Sequence, residues 1–315
     1  MTYILGIDTS AYTTSIALID RKNNKILADE RKVLEVKEGQ KGLRQQEAVF
    51  QHLKNLPELY ANIKQDLSKI DIVSVSSRPR NAKDSYMPVF IAGQNFGRVI
   101  SHTLNCEFIE YSHQENHIAA SLIDNYKNID EFLAVHISGG TTEFVSAKKI
   151  SKGFETKIVG GTKDITFGQL IDRLGIKMGF TFPCGKHMEE YIQDKTIEKL
   201  STPSVSKGSY INLSGMENFY CNLINKNKKE EIIASLFEYI ADCIIGIINS
   251  LSIHQHKIVI ISGGVASNRH IRNSILENIK EYEIIFPSLN NSSDNAVGLA
   301  ILPVIDRCHN EIKTN

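Results

Sequence analysis

A short device recurs three times along this chain and sets the kind of fold it can adopt: an apolar run of strand length that closes on small residues and a polar turn. It stands as Tyr3-Ile4-Leu5-Gly6-Ile7-Asp8-Thr9-Ser10, as Leu133-Ala134-Val135-His136-Ile137-Ser138-Gly139-Gly140-Thr141-Thr142, and as Ile258-Val259-Ile260-Ile261-Ser262-Gly263-Gly264-Val265. The first two runs are each followed by an alternating stretch, Ser15 to Ile19 and Glu143 to Ala147, which predicts strand, tight turn, strand. The third leads into SNRHIRNSILENI, with apolar residues at helical spacing, which predicts strand, turn, helix. The first two runs lie about 130 positions apart and each opens a further α/β segment. That pattern implies a duplicated architecture, one copy per lobe.

Helical spacing predicts helices over 42–68, 89–104, 113–126, 164–178, 186–199, 229–255, 268–280 and 294–309. Strands alternating with helices imply an α/β chain with a largely parallel or mixed sheet. The division falls near 127–131. It gives a first lobe over 1–130 and a second over 131–293, with a polar Ser/Asn/Lys-rich insert at 200–230. A last helical stretch, 294–315, is expected to cross back to the first lobe.

At 42% hydrophobic and 23% charged residues the chain has the composition of a globular protein. Its formal net charge is zero, so no global field attracts nucleic acid, and any such contact needs a local patch. The basic run from Arg21 to Arg44, which includes Lys37 and Lys41, is the candidate. It interleaves Asp29, Glu30, Glu35 and Glu38, and reads first as a solvated hairpin and helix face. Five scattered cysteines form no C-x-x-C pair, which argues against a disulfide framework and a structural zinc site. The N-terminus passes straight into a strand, and no apolar run reaches the ~20 residues of a membrane span. A cytoplasmic location with no membrane partner is expected.

Three motifs carry chemistry. The Ser138-Gly139-Gly140-Thr141-Thr142 turn lets the backbone approach a ligand closely and offers N–H and hydroxyl groups to a phosphate, although a plain hairpin turn uses the same residues. Ser262-Gly263-Gly264 through Asn268 repeats the device at a helix start, where the dipole favours anions and Asn268 can meet a ribose or base edge. His113-Gln114-Glu115-Asn116-His117 places two imidazoles at i and i+4, on one helix face, where they can share a metal or stand as surface residues. A third ligand is needed. Asp294 is available, but it also reads as a helix N-cap.

LGIDTS, HQENH, ISGGTTEF, GGVASNR and SSDNAVGLA together follow the order and spacing of the universal tRNA threonylcarbamoyladenosine synthase family, formerly labelled O-sialoglycoprotein endopeptidases. The chain resembles that family over nearly its whole length. The resemblance implies a two-lobed fold of the actin/hexokinase/heat-shock ATPase class with duplicated RNase H-like lobes. It implies one divalent metal, iron or zinc, at positions matching His113, His117 and Asp294, in the cleft between the lobes. It implies an adenylate ligand, threonylcarbamoyl-AMP or a plain adenine nucleotide, at Ser138, Gly139, Gly140, Asp172, Gly185, Gly263, Gly264 and Asn268. Asp172 stands in DITFGQLIDR, which resembles the family's D-x-A-x-G-x-x-x-D-K, and Gly185 in FPCGK where the family reads YPGGP. The implied acceptor is adenosine 37 of tRNA. The implied partners are an adenylate-forming enzyme and accessory proteins.

Four elements depart from the family pattern. The two acids of its TSCDET turn are replaced by Tyr12 and Thr13, which leaves no residue to name as general acid or base. Its GPG motif is Arg78-Pro79-Arg80 here, where an arginine could meet an anion such as a tRNA phosphate. The V-P-E-x-A-S-R stretch is Leu43-Arg44-Gln45-Gln46-Glu47-Ala48-Val49, and P-G-G-P is Pro183-Cys184-Gly185-Lys186. Metal-dependent threonylcarbamoyl transfer to tRNA is the leading reading. A divergent, catalytically impaired paralogue serving as a regulatory subunit and a carbamoyltransferase acting on a small molecule stay open beside it. The chain has no H-E-x-x-H, so the old protease label is set aside.

Overall fold

The computed structural model describes residues 2–10, 12–36, 43–123, 129–193, 195–205, 208–251, 257–292 and 294–314. In chain order its first elements are β1 (Tyr3–Thr9), β2 (Thr13–Asp20), β3 (Ile26–Val33), α1 (Gln45–Asn62), β4 (Ile70–Arg78), α2 (Phe90–Leu104), β5 (Glu107–Ser112) and α3 (His113–Leu122). There follow β6 (Glu131–Ile137), β7 (Thr142–Lys149), β8 (Phe154–Thr162), α4 (Phe167–Lys177), α5 (Cys184–Ile192), β9 (Tyr210–Ile211), α6 (Ser214–Leu223) and α7 (Lys229–Ser250). The last are β10 (Ile258–Ser262), α8 (Arg269–Asn278), β11 (Glu283–Ile285), α9 (Leu289–Ser292) and α10 (Val297–Thr314). The chain divides into two compact units. The first comprises Met1–Asp130, Lys148–Glu155 and Asn290–Asn315, the second Glu131–Ala147 and Thr156–Leu289.

The first unit is built on a sheet in the order β3-β2-β1-β4-β5. β1 and β2 are antiparallel, with Asp8 opposite Ser15 and Thr9 opposite Thr14, while β4 runs parallel to β1 and β5 parallel to β4. Every residue of β1 and β2 is buried, which is why both read as near-continuous apolar or small runs. β3 is the edge strand, and its ADERK sequence suits an edge that must not pair with another chain. Three cations of the basic run are ion-paired inside this unit: Arg21 with Asp71, Arg31 with Asp29 at 2.5 Å, and Lys32 with Glu58 at 2.6 Å. Lys37 and Lys41 lie outside the described residues.

The second unit carries a sheet in the order β11-β10-β6-β7-β8-β9. β10 is parallel to β6, with Ser262 opposite His136, so the two Gly-Gly turns leave neighbouring strands at the same end. α7 supplies much of the core through Ile232, Ile233, Leu236, Phe237, Ile240 and Ile244. The polar stretch 200–230 contains α6, whose Met216 and Tyr220 are buried, and the Tyr220 hydroxyl donates to the Ser235 carbonyl at 3.0 Å.

α10 belongs to the first unit and is seated by close backbone approach. A Cβ on Gly6 of β1 would lie 2.3 Å from the Ala296 carbonyl, and one on Gly298 only 1.9 Å from the Asn116 carbonyl of α3. The buried Asn116 side chain closes the contact: its Oδ1 accepts from Leu299 N–H at 2.9 Å and its Nδ2 donates to the Asn295 carbonyl. Further along, the Tyr111 hydroxyl donates to Asp306 Oδ2 at 2.6 Å and Gly153 N–H donates to Oδ1 at 2.7 Å.

Gly298→Ala should destabilise the protein by about 2–4 kcal/mol, read as a lowered urea midpoint, because the opposing atom is rigid backbone and one of the two must move. A midpoint within experimental error of wild type would show that α10 is free to shift. Burial pushes the Asp306 carboxyl up to about 6 against its two donors. The folded state therefore holds that proton more tightly than the unfolded state. The contribution is fully present below the unfolded value near ~3.9 and is lost as pH rises through about 6. Asp306→Asn should remove this slope. The difference in unfolding free energy between variant and wild type should therefore grow from pH 4 to pH 6.5.

Candidate functional site

α3 begins at His113 because Ser112 caps it. Ser112 Oγ accepts from Glu115 N–H at 3.2 Å, and Glu115 Oε2 accepts from Ser112 N–H at 2.7 Å, a reciprocal capping box. The cap fixes the helix phase, so His113 and His117 emerge on one face with ring centroids 4.3 Å apart and Nε2 atoms 2.9 Å apart. Asp294 meets them: its Oδ1 is 3.3 Å from His117 Nε2 and 3.8 Å from His113 Nε2. Asp294 stands three positions before the first residue of α10, Val297. The side chain that serves the first N–H groups of α10 is that of Asn295, whose Oδ1 accepts from Val297 N–H at 2.8 Å and Gly298 N–H at 3.4 Å. The three side chains predicted as ligands are thus brought together within the first unit, and they form the one group of potential metal ligands found among the described residues.

Several observations test whether these residues suit a cation. The circle through three atoms separated by 2.9, 3.3 and 3.8 Å has a radius of about 2.0 Å, close to the ~2.0–2.2 Å of zinc–nitrogen and zinc–oxygen bonds. Asp8, wholly buried at the end of β1, pairs through Oδ1 with His113 Nδ1 at 3.0 Å. A carboxylate behind a histidine fixes its tautomer and presents Nε2 to a metal. Asp8 Oδ2 is buried with no hydrogen-bond partner, a polar orphan that a nearby positive charge offsets. Burial alone works to lower the His113 pKa, but Asp8 and Asp294 outweigh it and hold the ring up at about 9. The site therefore demands positive charge, and a bound cation fits that demand.

Asp294 is itself held on two sides. Arg31 Nη1 donates to its backbone carbonyl at 3.2 Å, and the buried Ser10 hydroxyl donates to its Oδ2 at 3.4 Å. In the sequence Arg31 stands out only as part of the basic run, and Ser10 and Asp8 only as members of the first apolar run. Asp8 had a signal: it is the one charged residue in an otherwise apolar strand, which is costly without a partner. Tyr12 is half-exposed and Thr13 is buried in β2 opposite Val33, so the departures from the family turn supply no carboxylate. Arg78 does not project as a free cation. It donates to Ser77 and Asn81 and lies 3.9 Å from the buried Glu115.

The second unit holds a cavity of about 560 Å³. Gly139, Asp172, Gly185, Gly264 and Asn268 line it, while Ser138, Gly140 and Gly263 shape the turns beside it. The first turn is closed by Ser138 Oγ, which accepts from Thr141 N–H at 3.1 Å. α4 approaches this turn so closely that a Cβ on Gly168 would lie 2.5 Å from Gly139 Cα. In the second turn Gly263 has φ +102° and no room for a side chain, with the Ile137 carbonyl at 2.2 Å from a built Cβ. Gly139, Gly140 and Gly264 face open space instead. Asn268 caps α8 by accepting from Ile271 N–H at 3.1 Å, which leaves its amide nitrogen as the group a ligand could meet. Burial raises the Asp172 carboxyl, and Cys184 N–H donates to its Oδ1 at 2.8 Å, while the residue itself lines the cavity.

The sequence model of the tRNA N6-adenosine threonylcarbamoyltransferases matches residues 26–301. The chain belongs to this family. Curated members similar to it include those of Buchnera aphidicola subsp. Baizongia pistaciae and Thermotoga neapolitana. The first is 27% identical over 95% of this chain and 91% of the relative, the second 26% identical over 94% and 92%. The family match begins after the β1–β2 hairpin that carries Tyr12 and Thr13. Among solved structures, component A of the Acidaminococcus fermentans (R)-2-hydroxyglutaryl-CoA dehydratase aligns with a TM-score of 0.58 at 16% identity, over 98% of this chain and all of that one. A ROK family glucokinase from Streptomyces griseus aligns at 0.54 and 10% identity, over 95% and 98%. These likenesses show the fold, an α/β chain of the actin/hexokinase class. Membership makes the chain a transferase of tRNA modification. No helix among the described residues is long and apolar enough to cross a membrane.

The adjoining glycines of the second turn should separate folding from binding. Gly264→Val fills open space and should weaken adenine-nucleotide binding by calorimetry about tenfold or more, a cost of ~1.4 kcal/mol, with an unchanged melting temperature. Gly263→Ala forces a side chain into a positive-φ position and should lower stability by about 1–3 kcal/mol. Equal effects of the two on melting would contradict the assignment.

Proposed function

We propose that this chain transfers a threonylcarbamoyl group from threonylcarbamoyl-AMP to the exocyclic amine of adenosine 37 in tRNA, and that the transfer depends on one divalent metal at His113, His117 and Asp294. The observation that carries the metal dependence is the meeting of Asp294 with an i, i+4 histidine pair some 180 positions earlier in the chain, backed by a buried Asp8. Bound there, iron or zinc supplies Lewis acidity toward the carbamoyl oxygens. The donor is a mixed anhydride, so its leaving group is good. The amine nitrogen bonds the carbamoyl carbon, the carbon–oxygen bond to AMP breaks, and one amine proton is released.

The chain's own residues bind and orient. Asp8 keeps the His113 Nδ1 proton and leaves Nε2 for coordination. Gly139 and Gly264 admit the phosphate close to the backbone, and the N-terminus of α8 faces the same cavity. Asp172 Oδ2 accepts from ribose hydroxyls. An adenylate-forming enzyme is the partner that supplies the donor. The small-molecule carbamoyltransferase and the impaired paralogue draw no support from the family match.

Single-turnover formation of modified adenosine, with metal-loaded protein, a supplied adenylate and unmodified tRNA, tests the reading. His113→Ala and Asp294→Ala should abolish product, chelation should do the same, and restored iron or zinc should recover it. Tyr12→Asp with Thr13→Glu should raise the rate, since a positioned acid or base contributes typically ~10²- to 10⁴-fold. If wild type and the acid-restored variant both stay inactive with metal bound, transfer is not what this chain does.

A further inference from the structure

One buried titratable group has no part in the reading above. His52, on α1, is completely buried in the first unit. Both ring nitrogens are engaged: Nε2 lies 2.8 Å from the Ser10 carbonyl and Nδ1 2.8 Å from Thr14 Oγ1. A carbonyl can only accept, so Nε2 carries the proton. The neutral ring then accepts at Nδ1 from the Thr14 hydroxyl, and that hydroxyl oxygen accepts in turn from Asn55 Nδ2 at 3.2 Å. Burial acts first on the ring and lowers its pKa, with the Ser10 carbonyl and Asp8 pulling the other way, so the neutral form this arrangement needs is the favoured one.

The partners of this histidine bracket the β1–β2 turn. Ser10 stands at its start and Thr14 at its end, where Thr9 opposite Thr14 closes the hairpin register. Ser10 is also the residue whose hydroxyl reaches Asp294 Oδ2. At 3.4 Å this contact is longer than the ~2.7–2.8 Å of a relaxed O–H···O bond, so a small displacement of Ser10 loses it. The Ser10 hydroxyl is therefore only as well placed as its own backbone, and the hydrogen bond on that backbone carbonyl comes from His52.

We infer that His52 is a positioning residue: by holding the Ser10 carbonyl it sets the Ser10 hydroxyl against Asp294 and so tunes the affinity of the His113–His117–Asp294 site for its metal. The chain of contacts is His52 Nε2–H to Ser10 C=O, then Ser10 Oγ–H to Asp294 Oδ2. It places a side chain of α1, which touches neither metal nor substrate, in control of a ligand more than 200 positions away. The inference rests on the proposed metal site.

The test is competition of the purified full chain against a chromophoric chelator for Zn²⁺, at a temperature where circular dichroism shows each variant folded. His52→Leu should weaken zinc about tenfold, the lower end of the ~10–100-fold typical of residues that support metal ligands. His52→Gln, whose amide can still donate to the Ser10 carbonyl, should restore most of that loss. Ser10→Ala should weaken zinc to a similar extent. Because both act through the same hydroxyl, His52→Leu with Ser10→Ala should be no weaker than either single variant. Asp294→Ala separates the two readings. If it leaves zinc affinity unchanged, the metal site itself is wrong. If it abolishes binding while folded His52→Leu binds zinc like wild type, or the double variant shows the product of the two losses, the positioning role is overturned and the metal site stands. Should His52→Leu not fold, Thr14→Val and His52→Gln carry the test: a folded His52→Gln that binds more weakly than Ser10→Ala overturns it.

Discussion

One buried amide decides whether the metal-ligand group exists. Asn116 takes the Leu299 N–H on its oxygen and gives its N–H to the Asn295 carbonyl, and so fixes the first turn of α10 against α3. Both groups it bonds belong to the turn that follows Asp294. Both histidines lie within three positions of Asn116 on the same helix. The clamp therefore joins the two halves of the site at its closest covalent points, and it is rigid because neither Gly6 nor Gly298 leaves space for sideways movement. A wholly buried amide is tolerable only when its hydrogen bonds are made. Here that requirement can be met in a single helix register, which is what turns burial into positional accuracy.

The electrostatics follow from that geometry. Two carboxylates, Asp8 and Asp294, face a histidine pair in a partly buried setting, with one Asp8 oxygen left without a partner. In water such a group of charges costs little; out of water each unpaired charge is expensive. Without an ion, His113 offsets the cost by retaining a proton up to about 9. A divalent cation can replace that proton and bring more charge. The arrangement thus favours binding of a cation over a neutral ligand before any question of catalysis arises, and it keeps the metal-ligand group and the glycine-lined cavity chemically distinct: one collects positive charge, the other offers N–H groups to an anion.

Much of this was legible from residue spacing. The strand–turn–strand form of the first two apolar runs and the strand–turn–helix form of the third are found as β1–β2, β6–β7 and β10–α8, because glycine turns after fully apolar runs leave few alternatives. Spacing does not predict the strands β3, β4, β5, β8, β9 and β11. β4 and β5 carry serines or acids among their apolar residues, and β3 is a charged edge, so their period is diluted. Within the site, spacing puts His113 and His117 on one helix face but does not separate a metal pair from two surface residues. Asp294 could be joined to them only by resemblance, since the link is a tertiary clamp made by asparagines. Asp8, Ser10, Arg31 and His52 act by touching other side chains, or backbone carbonyls, across strands, which no one-dimensional pattern records. The ion pairs of the basic run are hidden from spacing for a related reason: Asp71 and Glu58, the partners of Arg21 and Lys32, lie far along the sequence but next to them in space.

The arginine at position 78 shows how little the aim of the histidines depends on the side chain beside the start of α3. It stands where the family resemblance expects glycine, two strands from β2 and beside the start of α3. Glu115, the residue it approaches, is 1% exposed, so a charge-bearing neighbour could have become essential. The distances decide otherwise. Glu115 accepts from Ser112 N–H and Oγ at 2.7 Å each and from Phe154 N–H at 3.2 Å, three donors that stabilise a carboxylate by themselves, while Arg78 remains at 3.9 Å. The Pro79 carbonyl meanwhile accepts from Gln114 N–H at 3.0 Å, so the backbone of the altered turn still satisfies the helix it precedes. The phase of α3, and with it the aim of both histidines, depends on main-chain and capping bonds that the side chain at 78 does not make. A substitution at 78 therefore leaves the ligand geometry a turn away in place.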